Sequence, residues 1–210
     1  MKKTVNIAVF VSGSGTNLQA VIDGIKSGKI TNGQISLVLS RKDDAYALTR
    51  AKENNIPVEI IRRKDYPDEK EFSDKVLEKI TPYDIDLVIL AGFMSVLSEK
   101  FIKLYENKIL NVHPALIPAF CGRGFYGIKV HEQVLERGVK LSGATVHFVN
   151  EITDGGPIIL QKAIEINDDD TPESLQKRIM IECEQIILCE AVNLFCSGRL
   201  DVRENKVYIK

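Results

Sequence analysis

Apolar residues in this chain fall into short, near-continuous runs separated by stretches with helical periodicity. Val5–Val11, Ile35–Leu39 and Asp86–Ala91 read as strands buried on both faces. Between them, a helix is predicted from about Asn17 to Lys26 and another over Asp44–Asn54, with Asp43 or Asp44 as its cap. Pro57–Ile61 reads as a short strand. Lys70–Ile80 is amphipathic, with Phe72, Val76, Leu77 and Ile80 on one face. Ser98 caps a short helix to Leu104, and Lys108–Val112 is a further strand. A loop rich in proline and glycine spans Pro114 to Gly127, followed by a helix to Arg137. Ala144–Val149 and Ile158–Ile166 are β-rich and suited to antiparallel pairing. Thr171-Pro172-Glu173-Ser174 opens a helix running to about Cys196, with proline at its first position. Leu200–Arg203 and Lys206–Ile209 form a terminal hairpin turning at Glu204-Asn205.

The alternation of strands and helices in the first half predicts an α/β fold. Its sheet is doubly wound and mostly parallel, with an antiparallel C-terminal portion. Ligands in such sheets bind beyond the carboxyl ends of the strands. Three candidate segments fall there: the loop after the first strand, Leu90 to Leu97, and Asn111 to Pro114. The 210 residues suit one domain, with a phosphate-binding half over about 1–105 and a catalytic half over about 106–210.

Composition narrows the classes. Lys+Arg number 28 and Asp+Glu 29, for a net charge of -1, so there is no footprint for nucleic acid or an anionic membrane. No apolar segment reaches the length of a membrane span. Met1-Lys2-Lys3-Thr4-Val5 resembles the start of a signal peptide. The apolar run behind it stops at Ser12-Gly13-Ser14-Gly15, so it reads as a strand instead. Cys121, Cys183, Cys189 and Cys196 form no C-x-x-C pair and read as free thiols of a cytoplasmic protein, with no metal site.

Two segments carry chemistry. Ser12-Gly13-Ser14-Gly15-Thr16-Asn17-Leu18 follows a strand and opens a helix, which aims free N–H groups and the positive helix end into one pocket. Leu18 stands where a dinucleotide fingerprint needs glycine, and no Walker lysine follows, so a single phosphate monoester is the better ligand. A structural strand-to-helix turn would use the same small residues.

The second segment is Asn111-Val112-His113-Pro114, joined further on by Asp154-Gly155-Gly156-Pro157. Asparagine can donate to a developing oxyanion, histidine can move a proton near neutral pH, and aspartate can orient that histidine. Asn111 and His113 leave the same face of a strand. The Asp154 turn could equally be a tight connection between strands. Its contact with His113 stays open at this stage. His131 reads as solvated on a surface helix. His147 reads equally as a core residue, as one supporting the site, or as a ligand.

Together these motifs resemble the folate-dependent glycinamide ribonucleotide formyltransferases of purine biosynthesis. The resemblance covers nearly the whole chain. It rests on Ser12 to Gln19, Leu90-Ala-Gly-Phe-Met94, Leu110-Asn-Val-His-Pro114, Thr145-Val-His-Phe-Val149, Asp154-Gly-Gly-Pro157 with Ile159-Leu-Gln161, and Ser197-Gly-Arg-Leu200. It implies a formyltransferase-like Rossmann variant. It also implies that Gly15, Thr16, Asn17 and Glu184 bind the ribonucleotide. Lys70, Met94, Ser95, Val96, Leu97, Ile109, Asn111, Asn150 and Asp154 would contact the folate, 10-formyltetrahydrofolate being the cosubstrate. Asn111 and a protonated His113 would stabilise the tetrahedral oxyanion, with Asp154 pairing to His113 and helping to relay protons. The implied partners are small molecules only, with no nucleic acid, membrane or metal, in a monomer or homodimer.

The chain departs from the family pattern at several points. Ser95 stands where many relatives have arginine, Lys70 where an arginine often assists the folate side, and Ala115 where serine is frequent. Cys121 to Lys129 is several residues longer than in many members, and its Arg123, Phe125 and Tyr126 could cover the ribonucleotide site or form a surface excursion. Gln185 follows Glu184 where relatives often carry histidine. Two other readings fit parts of the sequence. A 10-formyltetrahydrofolate hydrolase would use the same Asn/His/Asp set, and a non-catalytic phosphate-ligand module would use only the glycine loop.

Overall fold

The computed structural model describes residues 3–210; Met1 and Lys2, part of the start weighed above as a leader, lie outside the described residues. Seven strands form one sheet: β1 (Val5–Val11), β2 (Gly33–Ser40), β3 (Val58–Ile60), β4 (Leu87–Ala91), β5 (Ile109–His113), β6 (Leu141–Phe148) and β7 (Ile158–Glu165). Their order is β3-β2-β1-β4-β5-β6-β7. The first five are parallel, β6 runs antiparallel to β5, and β7 runs antiparallel to β6. The strand order reverses between β1 and its neighbours β2 and β4, so the crevice expected of a doubly wound sheet opens there.

Alternation along β1 feeds two cores. Ile7, Val9 and Val11 face α1 (Thr16–Lys26) and the C-terminal helices, in a cluster with Leu18, Val21, Leu188 and Val192. Ala8 and Phe10 face the other side, with Phe72, Val76 and Ile80 of α3 (Glu69–Ile80) and Phe101 of α4 (Glu99–Leu104). Asp68 and Ser98 cap α3 and α4 by accepting from Glu71 N and Phe101 N. Among the described residues no helix is long and apolar enough to cross a membrane.

Three local expectations are corrected. Helix α2 (Tyr46–Glu53) begins after Ala45 and has no side-chain cap. The Gly13 carbonyl accepts from Ala47 N at 3.1 Å, so the glycine loop satisfies the donor a cap would have taken, and Asp43 pairs with Arg62 instead. The long C-terminal helix is three pieces: α6 (Pro172–Ile179), a π-helical turn over Met180–Glu184, and α7 (Gln185–Cys196). Finally, His131 is not solvated. It lies on α5 (Ile128–Glu136) with Val130 and Val134, fully buried, because this face of α5 packs into the core and against α6. Burial, aided by the nearby His113, lowers its pKa to about 4, so it stays neutral. The terminal hairpin forms as expected from β8 (Leu200–Arg203) and β9 (Lys206–Ile209), with positive φ at Glu204 and Asn205.

Candidate active site

Two residues apart on β5, Asn111 and His113 share one face of the sheet. The antiparallel partner β6 sets His147 opposite Asn111 and Thr145 opposite His113, so all four side chains stand on that face. Thr145 fixes the chain just past His113: its Oγ1 donates to the Ala115 carbonyl at 2.7 Å and accepts from Ile117 N at 3.1 Å.

Asp154 arrives from the β6–β7 connection. It adopts a left-handed backbone with φ 55, and Gly156 follows where an added Cβ would lie 1.8 Å from the Phe148 carbonyl oxygen. This turn brings the carboxylate over β5. Its Oδ2 lies 3.6 Å from His113 Nδ1, and its Oδ1 lies 3.7 Å from His147 Nε2. Asn111 Nδ2 donates to Asp154 Oδ1 at 3.5 Å and approaches His147 Nε2 at 3.1 Å. The backbone N–H of Gly122, on the glycine-flanked loop, donates to Asp154 Oδ2 at 2.9 Å. Burial raises the Asp154 pKa, but the His147 bond, the His113 charge and the Gly122 donor outweigh it and hold the carboxyl below its ordinary range.

Carbonyl oxygens only accept, which assigns protons on both rings. His113 Nε2 donates to Phe120 O at 2.8 Å, leaving Nδ1 toward Asp154. His147 Nδ1 donates to Phe148 O at 2.8 Å, so Nε2 accepts from Asn111 in the neutral ring and turns donor toward Asp154 Oδ1 only in the doubly protonated ring. His147 thus belongs to the constellation, which sequence reasoning left undecided. Its placement opposite Asn111 in the β5–β6 register was the available signal.

A second cluster forms at the glycine loop. Gly15 has φ 71, and a Cβ there would meet Ala47 Cβ at 2.6 Å, so the tight turn into α1 requires glycine. Thr16 and Asn17 open the helix. Asn17 Nδ2 donates to Glu184 Oε2 at 2.8 Å, while Asn17 Oδ1 is buried without a partner among the described residues. Glu184 is 9% exposed, and burial raises its pKa against the Asn17 donor.

The remaining expected residues are more scattered. Met94 and Val96 present exposed side chains, 44% and 58%, and Leu97 turns inward. Ser95 Oγ accepts from Arg41. Ile109 is fully buried in the cluster with Leu90, Phe93 and Leu97, so it backs this segment instead of opening to solvent. Asn150 shapes its own loop, donating to Gly155 O and accepting from Ile152 N. Lys70 lies exposed on the first turn of α3, lining an open depression with Arg63, Pro67 and Ser98. In the longer segment, Phe125 packs against Phe120 and the core, while Tyr126 is exposed.

Comparison with known proteins identifies the family. The formyl transferase family model matches residues 5–192. The chain is 39% identical to the phosphoribosylglycinamide formyltransferase of Haemophilus influenzae over all of this chain and 94% of that one. It superposes on the crystal structure of glycinamide ribonucleotide transformylase 1 from Symbiobacterium toebii with a TM-score of 0.91 and 41% identity, covering 98% of this chain and 94% of that one. A formyltetrahydrofolate deformylase from Burkholderia mallei is more distant, at 28% identity and a TM-score of 0.84, covering 98% of this chain and 70% of that one. The chain belongs to the formyl transferase family, among its phosphoribosylglycinamide formyltransferases.

Proposed function

We propose that this site transfers the formyl group of 10-formyltetrahydrofolate to the amine of N1-(5-phospho-D-ribosyl)glycinamide, giving the N-formyl product and tetrahydrofolate. The observation that carries the reading is Asp154 bridging His113 and His147 with separate oxygens while Asn111 donates to the same cluster. The substrate amine attacks the formyl carbon directly. A C–N bond forms, the carbonyl electrons move to oxygen, and the oxyanion is stabilised by Asn111 Nδ2 and the imidazolium of His113. Collapse breaks the bond to the folate nitrogen. The proton lost by the attacking amine passes by way of Asp154 and His113 to the leaving nitrogen.

A doubly protonated His113 ring donates to Phe120 O at 2.8 Å and faces Asp154 Oδ2 across 3.6 Å as an ion pair. Of the two Asn111 bonds, the one to Asp154 is the longer at 3.5 Å, and it yields when an oxyanion competes for that N–H. Gly15, Thr16 and Asn17 hold the phosphate at the start of α1, with Glu184 behind them. Met94 to Leu97 and the Asn150–Asp154 backbone flank the folate ring, with Ile109 in support and Lys70 toward its outer end.

One assay tests the reading: incubation with 10-formyltetrahydrofolate, with and without the ribonucleotide. Tetrahydrofolate release that depends on the ribonucleotide and yields its N-formyl product is expected. Release without it would favour the deformylase chemistry of the more distant relative. No release would leave only a phosphate-ligand module.

A further inference from the structure

Arg41 takes no part in the constellation above, yet its guanidinium reaches across the carboxyl edge of the sheet. It directly follows β2, and Ser40 fixes its launch: Ser40 Oγ donates to Lys42 O at 2.8 Å and accepts from Lys42 N at 3.1 Å. From there Arg41 NH1 donates to the Met94 carbonyl at 3.1 Å and to Ser95 Oγ at 3.3 Å. Among the described residues Arg41 Nε is buried without a partner, and Asp43, the acidic residue two positions on, is engaged by Arg62. The 94–95 segment is therefore what holds this cation. The same segment is tied from below, since Met94 N donates to Ser12 Oγ at 3.3 Å, at the start of the glycine loop.

Both backbone polar groups of Met94 are thus spoken for, one by Ser12 on β1's exit and one by Arg41 on β2's exit. Met94 and Val96 project their apolar side chains outward from this tethered segment. We propose that Arg41 is a positioning residue for the formyl donor: it clamps the Met94-Ser95 backbone and so pre-forms the apolar wall. This rests on the reading above that Met94 to Leu97 flank the folate. Ordering a short loop before binding removes that cost from the binding step. Both contacts leave the one nitrogen NH1, so a lysine ammonium keeps enough donors for them but loses the planar guanidinium that aims them.

The test uses Arg41→Ala, Arg41→Lys and Ser95→Ala in the full chain. Loss of the clamp raises KM for 10-formyltetrahydrofolate by about tenfold or more in Arg41→Ala, the scale of a lost charge-assisted hydrogen bond. Arg41→Lys falls between, and Ser95→Ala is milder because the Met94 contact survives. The ribonucleotide KM and kcat stay within about threefold, a split that general destabilisation would not produce. Amide exchange measured by mass spectrometry on ligand-free protein speeds up in residues 92–97 of Arg41→Ala and not in α3. Unchanged exchange in 92–97 overturns the clamp whatever the substrate is. An unchanged donor KM, or an equal rise in both KM values, overturns its role in donor binding. Failure of the wild-type protein to bind 10-formyltetrahydrofolate in a direct titration would instead sink the proposed reaction, leaving the exchange result to judge the clamp.

Discussion

Asn17 and Glu184 meet at 2.8 Å from opposite ends of the chain, the amide of one donating to a carboxylate of the other that is almost wholly buried. Burial favours the neutral acid and the Asn17 donor favours the anion, and burial is the larger influence. With Asn17 Oδ1 also buried and unpartnered among the described residues, this pair has polar capacity to spare beside the glycine loop. Glu184→Ala is expected to raise KM for the ribonucleotide by about tenfold or more, with kcat and the donor KM little changed. Steady-state kinetics with each substrate varied in turn checks this, and an unchanged ribonucleotide KM would remove Glu184 from that subsite.

Asp154→Asn keeps the shape of the side chain and removes its charge. Turnover is expected to fall by at least about a hundredfold in a folded protein. The variant also reports on stability. The folded pKa of Asp154 is depressed, so its contribution is present above the unfolded pKa and lost as pH falls through the folded one. Denaturation across the acid range should therefore show a shallower pH dependence in the variant. Near-normal turnover would exclude the proton-relay role.

His147 touches both Asn111 and Asp154 without facing the reacting atoms in the proposed scheme. His147→Leu removes the acceptor for Asn111 and one partner of Asp154. A loss of about ten- to a hundredfold in kcat is expected, with smaller changes in KM, since both groups lose orientation and not identity. A variant that loses only thermal stability would reduce His147 to a packing role.

His131 makes stability itself pH-dependent. Its pKa is lowered from 6.5 to about 4 in the fold, so the unfolded chain binds the proton more readily. Stability is expected to fall as pH drops from the unfolded value toward the folded one, by about 3 kcal/mol in all. His131→Leu should flatten that stretch of the profile in urea titrations at stepped pH. An identical slope in the variant would assign the loss to other groups.

Much of the fold was legible because periodicity reports burial. β4 and the C-terminal parts of β1 and β2 are buried on both faces, and their near-continuous apolar runs announced it. The proline at the first position of the Thr171 helix start and the hairpin at Glu204-Asn205 were equally local signals. The glycine loop and the shared face of Asn111 and His113 followed from turn chemistry and strand geometry.

What escaped the sequence was non-local. Whether Asp154 faces His113 depends on a left-handed residue and a glycine pressed against the Phe148 carbonyl, neither of which the Asp-Gly-Gly-Pro pattern separates from an ordinary turn. His131 looked solvated because a polar residue on a short helix usually is, and only the packing of α5 on α6 encloses it. Arg41 carried no motif at all; its meaning lies in the two acceptors it finds on a distant loop.

The π-helical turn over Met180–Glu184 sets the bearing of the core stripe that runs through it. Core residues Leu175, Ile179, Cys183 and Ile187 recur at every fourth position. On a regular α-helix such a stripe rotates by about 40° per step and would leave the sheet within a few turns. The wider turn absorbs that rotation, so the stripe keeps its bearing and Glu184 is carried inward beside Cys183. The π-helical turn thus works as a phase corrector: it lets α6 and α7 serve one core along their joint length and still bring the Glu184 carboxylate to Asn17 at the glycine loop.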